Sequence, residues 1–107
     1  MRLMTKTLEK RFSKIGSQEN SKDPIIVAHF FNPVGAEDWY ATEYDPADRC
    51  IFGYVSIFHD WNDEWGRTSL DELEEYKGLL GLGIERDLYW TEKKASEVIH
   101  GFTGFGE

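Results

Sequence analysis

Two alternating segments predict a β-hairpin near the centre of the chain. Residues 37–45 read Glu-Asp-Trp-Tyr-Ala-Thr-Glu-Tyr-Asp, and residues 50–58 read Cys-Ile-Phe-Gly-Tyr-Val-Ser-Ile-Phe. Successive side chains of a strand point to opposite faces, so each segment can place one row on a core and the other outside it. The short connection at 46–49 favours antiparallel pairing. Gly53 in mid-strand predicts a bulge or a close neighbour.

The flanking elements follow from periodicity and capping. An apolar run at 25–31 predicts a strand covered on both faces, and residues 86–90 predict a short further strand. A helix over 5–14 has its apolar positions at helical spacing, and the capping-box pattern Ser-Leu-Asp-Glu opens a second helix over 69–77. We therefore predict an α+β fold, with one antiparallel sheet of about four strands and two main helices packed on it.

Length and composition are typical of a small globular protein. The 107 residues support one domain, predicted over 1–100, followed by a flexible tail at 101–107 that is rich in glycine and phenylalanine. No run approaches the roughly 18–20 apolar residues of a membrane helix. The N-terminus lacks the apolar stretch of a secretion signal, and the single Cys50 fits a reducing compartment. We expect a cytoplasmic protein.

Charge is distributed unevenly along the sequence. Residues 1–22 carry six basic and two acidic side chains, a net of +4, and residues 23–107 carry −12, which together give −8. Residues 37–75 contain twelve acidic side chains and only Arg49 and Arg67 as bases, a net of −10. This balance argues against direct binding to nucleic acid or to an anionic membrane. It predicts a folded acidic surface, which either solubilises the domain or binds a partner.

Motifs for catalysis and for cofactors are absent from the sequence. The glycines of 78–83 lack the context of a phosphate-binding loop. The 59–64 loop begins like a calcium loop, but Gly66 falls one position late and the twelfth position lacks a bidentate glutamate. Cys50 lies in a strand predicted to be buried, and His29 is predicted to be a hydrogen-bonded structural residue. We predict no enzymatic activity, no cofactor and no metal.

Two tryptophans in the predicted 59–66 loop indicate a surface role. Trp61 and Trp65 are four residues apart and flanked by acidic side chains, and exposed aromatic residues are enriched at protein interfaces. We predict that these anchors and the acidic residues around them bind a partner protein that presents a basic, nucleic-acid-binding surface. The predicted partner-binding residues are Glu37, Asp38, Asp45, Asp48, Asp60, Trp61, Asp63, Glu64, Trp65, Asp71, Glu72, Glu74 and Glu75.

Several segments carry a resemblance to a known family. The most specific is Asp38-Trp-Tyr-Ala-Thr-Glu-Tyr-Asp, and the others are Leu3-Met-Thr-Lys-Thr-Leu-Glu-Lys-Arg-Phe, Phe31-Asn-Pro, Phe52-Gly-Tyr-Val, Ser69-Leu-Asp-Glu-Leu-Glu and Ile84-Glu-Arg-Asp-Leu-Tyr-Trp. Over residues 3–98 the chain resembles an uncharacterised family of single-domain bacterial proteins of about this length, found on plasmids and integrative elements. The resemblance implies a mobile-element setting and transfers no catalytic residue.

Three functional hypotheses remain open at this point. The first is a non-enzymatic inhibitor of a host defence protein, an anti-restriction or anti-CRISPR protein whose dense carboxylates mimic DNA. The second is an accessory or assembly module that docks through a sheet edge or through Phe102 and Phe105. The third, a small metal-binding protein or hydrolytic enzyme, would use Glu43, Asp45 and the 59–64 loop.

Overall fold

The computed structural model describes residues 2–106, without the side chain of Leu79. Its helices and strands are, in chain order, α1 (Lys6–Ile15), β1 (Ile25–Ile26), β2 (Ala28–Phe31), β3 (Asp38–Asp45), β4 (Cys50–Ser56), β5 (Glu64–Ser69), α2 (Leu70–Glu75), a 3-10 turn (Leu79–Gly81), β6 (Glu85–Arg86), β7 (Lys93–Lys94) and α3 (Ala95–Val98). Five strands form one antiparallel sheet in the order β5-β4-β3-β2-β6, and β1 pairs with β7 separately.

The predicted α+β class is confirmed, but the sheet is larger than predicted. The fifth strand, β5, occupies residues that the sequence predicted partly as loop, and it pairs with β4 through Tyr54 opposite Trp65. As an edge strand it has little apolar alternation to reveal it. The predicted strand at 86–90 shortens to Glu85–Arg86, because the chain turns where the Trp90 N–H donates to the Asp87 carbonyl.

The helices also differ in extent from the prediction. The first runs over Lys6–Ile15, close to the predicted 5–14, and its N-cap Thr5 accepts a hydrogen bond from the Leu8 N–H. The second ends at Glu75 rather than at residue 77, because Tyr76 adopts an extended conformation. A third, short helix over Ala95–Val98 follows β7. Within residues 2–106 the fold thus has three α-helices beside a five-stranded and a two-stranded sheet.

The two faces of the sheet pack against different layers. On one face α1 and α2 cover the larger core, in which Phe12, Phe30 and Leu70 are buried. On the other face Ile26, Ala95 and Ile99 form a smaller core, and half-buried aromatic residues from β3, β4 and β5 pack against it. Covering both faces explains the near-continuous apolar pattern of residues 25–31.

Gly53 sets the approach of β3 and β4. A Cβ built on Gly53 would lie 2.8 Å from the carbonyl carbon of Tyr40 and 2.9 Å from the Cα of Ala41. The predicted close neighbour is therefore the backbone of the paired strand. The register shifts between Ala41 and Glu43, so that Tyr40 pairs with Tyr54 on one side of the shift and Glu43 pairs with Phe52 on the other.

Two phenylalanines of the C-terminal segment contact the sheet, and the flexibility of this segment stays a prediction. The Phe105 ring centroid lies 4.8 Å from that of Trp65, and the Phe102 centroid lies 5.5 Å from it. The Phe105 N–H donates to the Lys22 carbonyl, which ties the tail to the loop before β1. None of the helices within residues 2–106 is long and apolar enough to cross a membrane.

Candidate protein-interaction site

The predicted partner-binding residues divide between two ends of the sheet. The loops at 32–37 and 57–63 form one end, here called the loop end, and the 46–49 turn with α2 forms the other, the α2 end. The loop end holds Glu37, Asp38, Asp60, Trp61, Asp63, Glu64 and Trp65, and the α2 end holds Asp45, Asp48, Asp71, Glu72, Glu74 and Glu75. Strand β3 separates the ends by roughly 20 Å, at about 3.3 Å per residue. The carboxylates therefore do not form the single surface that the sequence suggested.

Arginines pair with most of the carboxylates at the α2 end. The Arg49 guanidinium donates to Asp71 and to Glu74, each at 2.8 Å. Arg67 lies 3.6 Å from Asp45 and 3.5 Å from Asp48. Glu74 also accepts a hydrogen bond from the Leu3 N–H at 2.9 Å, so it has a structural role. These two arginines offset two of the six negative charges at this end.

At the loop end, two large apolar side chains are displayed to solvent. The Trp61 residue is 89% exposed and Phe58 is 72% exposed. Asp60 and Glu64 are exposed beside them, and neither forms an ion pair with another described residue. An exposed aromatic anchor with a charged rim is the composition expected of a protein-binding patch. Trp61 thus has the exposure that the sequence predicted for an anchor.

Trp65 does not have that exposure. It is half-buried, and its ring packs between Tyr54 and the phenylalanines of the C-terminal segment. Strand β5 turns residue 65 towards the face that carries the smaller core, as the pairing with Tyr54 requires. Trp65 is therefore a packing residue rather than a surface anchor. The prediction missed this because no local pattern indicated β5.

Asp38 and Asp63 are also less available than predicted. Asp38 accepts contacts from two histidines, with His29 Nε2 at 2.6 Å and His59 Nε2 at 2.9 Å. Asp63 accepts a hydrogen bond from the Ser56 hydroxyl at 2.8 Å, and its second oxygen is buried without a hydrogen-bond donor among residues 2–106. Both carboxylates are partly buried and already have partners within the fold.

A chain of alternating carboxylates and imidazoles runs through the loop end. The Nδ1 atom of His29 lies 2.9 Å from Asp87, and its Nε2 contacts Asp38, which in turn contacts His59. Both contacts of His29 are hydrogen bonds when the ring is doubly protonated, since neutral imidazole has a single N–H. The predicted hydrogen-bonded role of His29 is confirmed. No sequence pattern indicated Asp87, which lies 58 positions away.

His59 ties the two loops of this end together. Its backbone has a positive φ of 55°, which is uncommon outside glycine. In that conformation Nε2 lies 2.7 Å from the Ala36 carbonyl as well as 2.9 Å from Asp38. The contacts hold the 57–63 loop, with Phe58 and Trp61, against the 32–37 loop. The anchors consequently project from a braced loop.

A pocket of about 370 Å³ lies between this loop and the segment after α3. Its lining includes Tyr40 and Tyr54 from the sheet, His59 and Asp63 from the loop, and Ile99 from the covering layer. Burial raises the pKa of Tyr40 to about 12, and the negative charges of Asp38, Asp63 and Asp87 add to the effect. Burial, followed by the charge of Asp63, also raises the pKa of Tyr54. Both phenols thus remain hydrogen-bond donors near neutral pH.

The residues named by the metal hypothesis lie apart and have other partners. Glu43 accepts a hydrogen bond from the Gln18 N–H, and Asp45 accepts one from the Ala47 N–H. Asp60 accepts from the Asn62 N–H within its own loop. Within the described part of the chain, no group of three or more histidine, cysteine, aspartate or glutamate residues is placed to hold a metal ion.

The family match agrees with the resemblance drawn from the sequence. Residues 3–100 match a family described as a protein of unknown function, DUF2958. The chain belongs to this uncharacterised family. No curated protein and no solved structure matches it.

Proposed function

We propose that the chain is a non-enzymatic protein-binding module of a mobile genetic element, and that it docks a partner with a basic surface through the loop end. The observation that carries the proposal is the exposure of Trp61 and Phe58 on a loop braced by His59. Burying such side chains removes apolar surface from water, which drives association. Asp60 and Glu64 form a rim that favours a basic partner and speeds the encounter.

The arrangement favours an anchored interface over a row of phosphate mimics. A DNA mimic needs unpaired carboxylates along its length, since duplex DNA carries about one charge per 1.7 Å of axis. At the α2 end Arg49 and Arg67 pair with four of the six carboxylates, so unpaired carboxylates do not follow the sheet from one end to the other. A host defence protein remains the proposed target, bound at a basic surface that also contacts nucleic acid.

Crosslinking from position 61 tests the docking surface. A photo-reactive phenylalanine analogue replaces Trp61, and a matched sample carries it in place of Tyr89, which is 94% exposed but lies beyond β6, at the opposite edge of the sheet from β5. We expect a partner from the host lysate to be crosslinked from position 61 and not from position 89. Equal crosslinking from both positions would reject the loop end as the interface.

Affinity measurements with that purified partner complete the test. Trp61→Ala should weaken binding by roughly 30-fold or more, the effect of losing a central aromatic anchor, while Tyr89→Ala leaves it unchanged. Binding should weaken moderately with added salt. Competition by duplex DNA for the partner would identify the inhibitor role. If Trp61→Ala does not change binding, and replacing Phe102 and Phe105 abolishes it, the result would instead support the assembly module.

A further inference from the structure

The pocket beside the 57–63 loop is lined by carboxylates, imidazoles and phenols. Its carboxylates are those of Asp60 and Asp63, and its imidazoles are those of His59 and His100. None of the described residues that line it is lysine or arginine. Its volume of about 370 Å³ is at the lower end of the roughly 300–1,000 Å³ range of ligand pockets. Its charge therefore favours a small cation.

Asp63 supplies an acceptor that the fold leaves unfilled. One carboxylate oxygen accepts from Ser56, and the other is buried without a donor among the described residues. A buried polar atom without a partner is uncommon, because it loses its bond to water and gains none in return. Asp63 also lines the pocket, where the Tyr54 hydroxyl donates a hydrogen bond to the same carboxylate, so this group forms part of the pocket wall.

The tyrosines suit a planar cation better than a compact one. Tyr40 and Tyr54 are directly paired across β3 and β4, so their rings form one wall beside Asp63. A guanidinium can stack on an aromatic ring while its N–H groups bond to a carboxylate, whereas an ammonium offers a point charge without that plane. Trp61 adjoins Asp60 in the loop that borders the pocket, next to the proposed docking surface.

We propose that this pocket binds the guanidinium of an arginine on the partner protein, with Asp63 as the main acceptor and Tyr40 and Tyr54 as the aromatic wall. This inference rests on the proposed function, since the arginine belongs to the protein that Trp61 anchors. It adds a specific polar contact next to the apolar anchors. A basic surface then engages the loop end through one inserted side chain as well as through general attraction.

Peptide titration observed by NMR tests the pocket without the partner. The probe is the blocked peptide acetyl-Gly-Arg-Gly-amide, and the matched probes carry neutral citrulline or lysine in place of arginine. We expect saturable shifts at Tyr40, Tyr54 and His59 with the arginine peptide, and at least about tenfold weaker binding with citrulline, which lacks the charge. Equal binding of lysine would overturn the preference for guanidinium, and equal binding of citrulline would overturn the site.

Variants separate the pocket from general attraction to an acidic protein. Asp63→Asn should weaken the arginine peptide by about tenfold or more, while Glu9→Gln, on the exposed side of α1, should not change it. Tyr54→Phe is the second variant, for use if Asp63→Asn disturbs the loop. It keeps the aromatic wall, so the arginine peptide should still bind. A loss of binding would reject the ring as the part of Tyr54 that holds the guanidinium. Shifts spread over the acidic surface, and reduced as much by Glu9→Gln, would reject the proposal.

The outcomes for the two proposals are distinguishable. If the peptide does not bind but Trp61→Ala still weakens the partner, the arginine pocket is wrong and the docking surface stands. If the peptide binds and Trp61→Ala leaves the partner unaffected, the docking surface is wrong, and so is the assignment of the pocket to that partner.

Discussion

Replacing Gly53 with alanine should destabilise the domain more than any other change of a single methyl group in the sheet. The new Cβ would lie 2.8 Å from the Tyr40 carbonyl carbon and 2.9 Å from the Ala41 Cα, closer than such atoms approach in folded proteins. Both obstacles are backbone atoms of the neighbouring strand, so no side-chain rotation can relieve them. Overpacking lowers the unfolding free energy by about 1–3 kcal/mol. Because the obstacle here is backbone, we expect Gly53→Ala to lower it by about 2–3 kcal/mol.

Gly66→Ala is the matched control. Gly66 is paired directly with Gly53 on β5, yet a Cβ there would meet no atom within 4 Å. Alanine at such a position restricts the unfolded chain, so we expect unchanged stability or a gain of up to about 1 kcal/mol. The two variants add the same methyl group to facing residues, and only Gly53→Ala should lose stability.

Thermal and urea unfolding, each followed by tryptophan fluorescence, measure both variants. For a domain of this size Gly53→Ala should lower the melting temperature by about 10–20 °C, with an unchanged dependence of the unfolding free energy on urea. A midpoint for Gly53→Ala equal to that of Gly66→Ala would refute the reasoning, because it would show that β3 and β4 can separate at this point without cost. The Tyr40–Tyr54 pair, which lines the pocket, would then not be fixed by the register.

Three further variants test the pocket, the tail and a helix cap. The pKa of Tyr40, about 12, lies above the ordinary 10.0. Its protonated form therefore contributes stability that is complete below about pH 10 and is lost as the pH rises towards 12. In urea unfolding, Tyr40→Phe should lose less stability than the unmodified protein between about pH 9 and pH 11. Phe102→Ala should lower the unfolding free energy by about 1–2 kcal/mol, because its half-buried ring packs on Trp65, whereas a flexible tail predicts no change. Ser69→Ala should cost about 1 kcal/mol, because the hydroxyl accepts from the Glu72 N–H, and Ser69→Asp should restore most of that loss in thermal unfolding.

The elements that depend on local pattern could be predicted from the sequence. The alternation of residues 37–45 indicated β3, and a capped apolar stripe indicated α1, because each element buries one face of its own residues. Strand β5 could not be recognised in the same way. Its residues Glu-Trp-Gly-Arg-Thr-Ser lack an apolar row, and its place in the sheet comes from pairing with β4.

The histidine chain depends on contacts that no local pattern records. His29 and Asp87 meet because β6 lies beside β2 and the Asp87 N–H donates to the His29 carbonyl. Alternation in β2 predicts that His29 points away from Phe30, but it does not predict which residues face it across the sheet. In the same way, the conformation of His59 depends on Ala36 in another loop.

The pairing of carboxylates at the α2 end depends on two arginines. Arg49 and Arg67 are the only basic residues between 37 and 75, and both lie at the α2 end, one in the 46–49 turn and one near the end of β5. Adjacent strands run in opposite directions, so the C-terminal end of β5 and the turn between β3 and β4 both lie at the α2 end of the sheet. Recognition of β5 would therefore have placed both cations there from the sequence alone. Asp60 and Glu64 at the loop end, like Glu72 and Glu75 at the α2 end, form no ion pair with a described residue, so the exposed Trp61, and not the number of unpaired carboxylates, distinguishes the loop end.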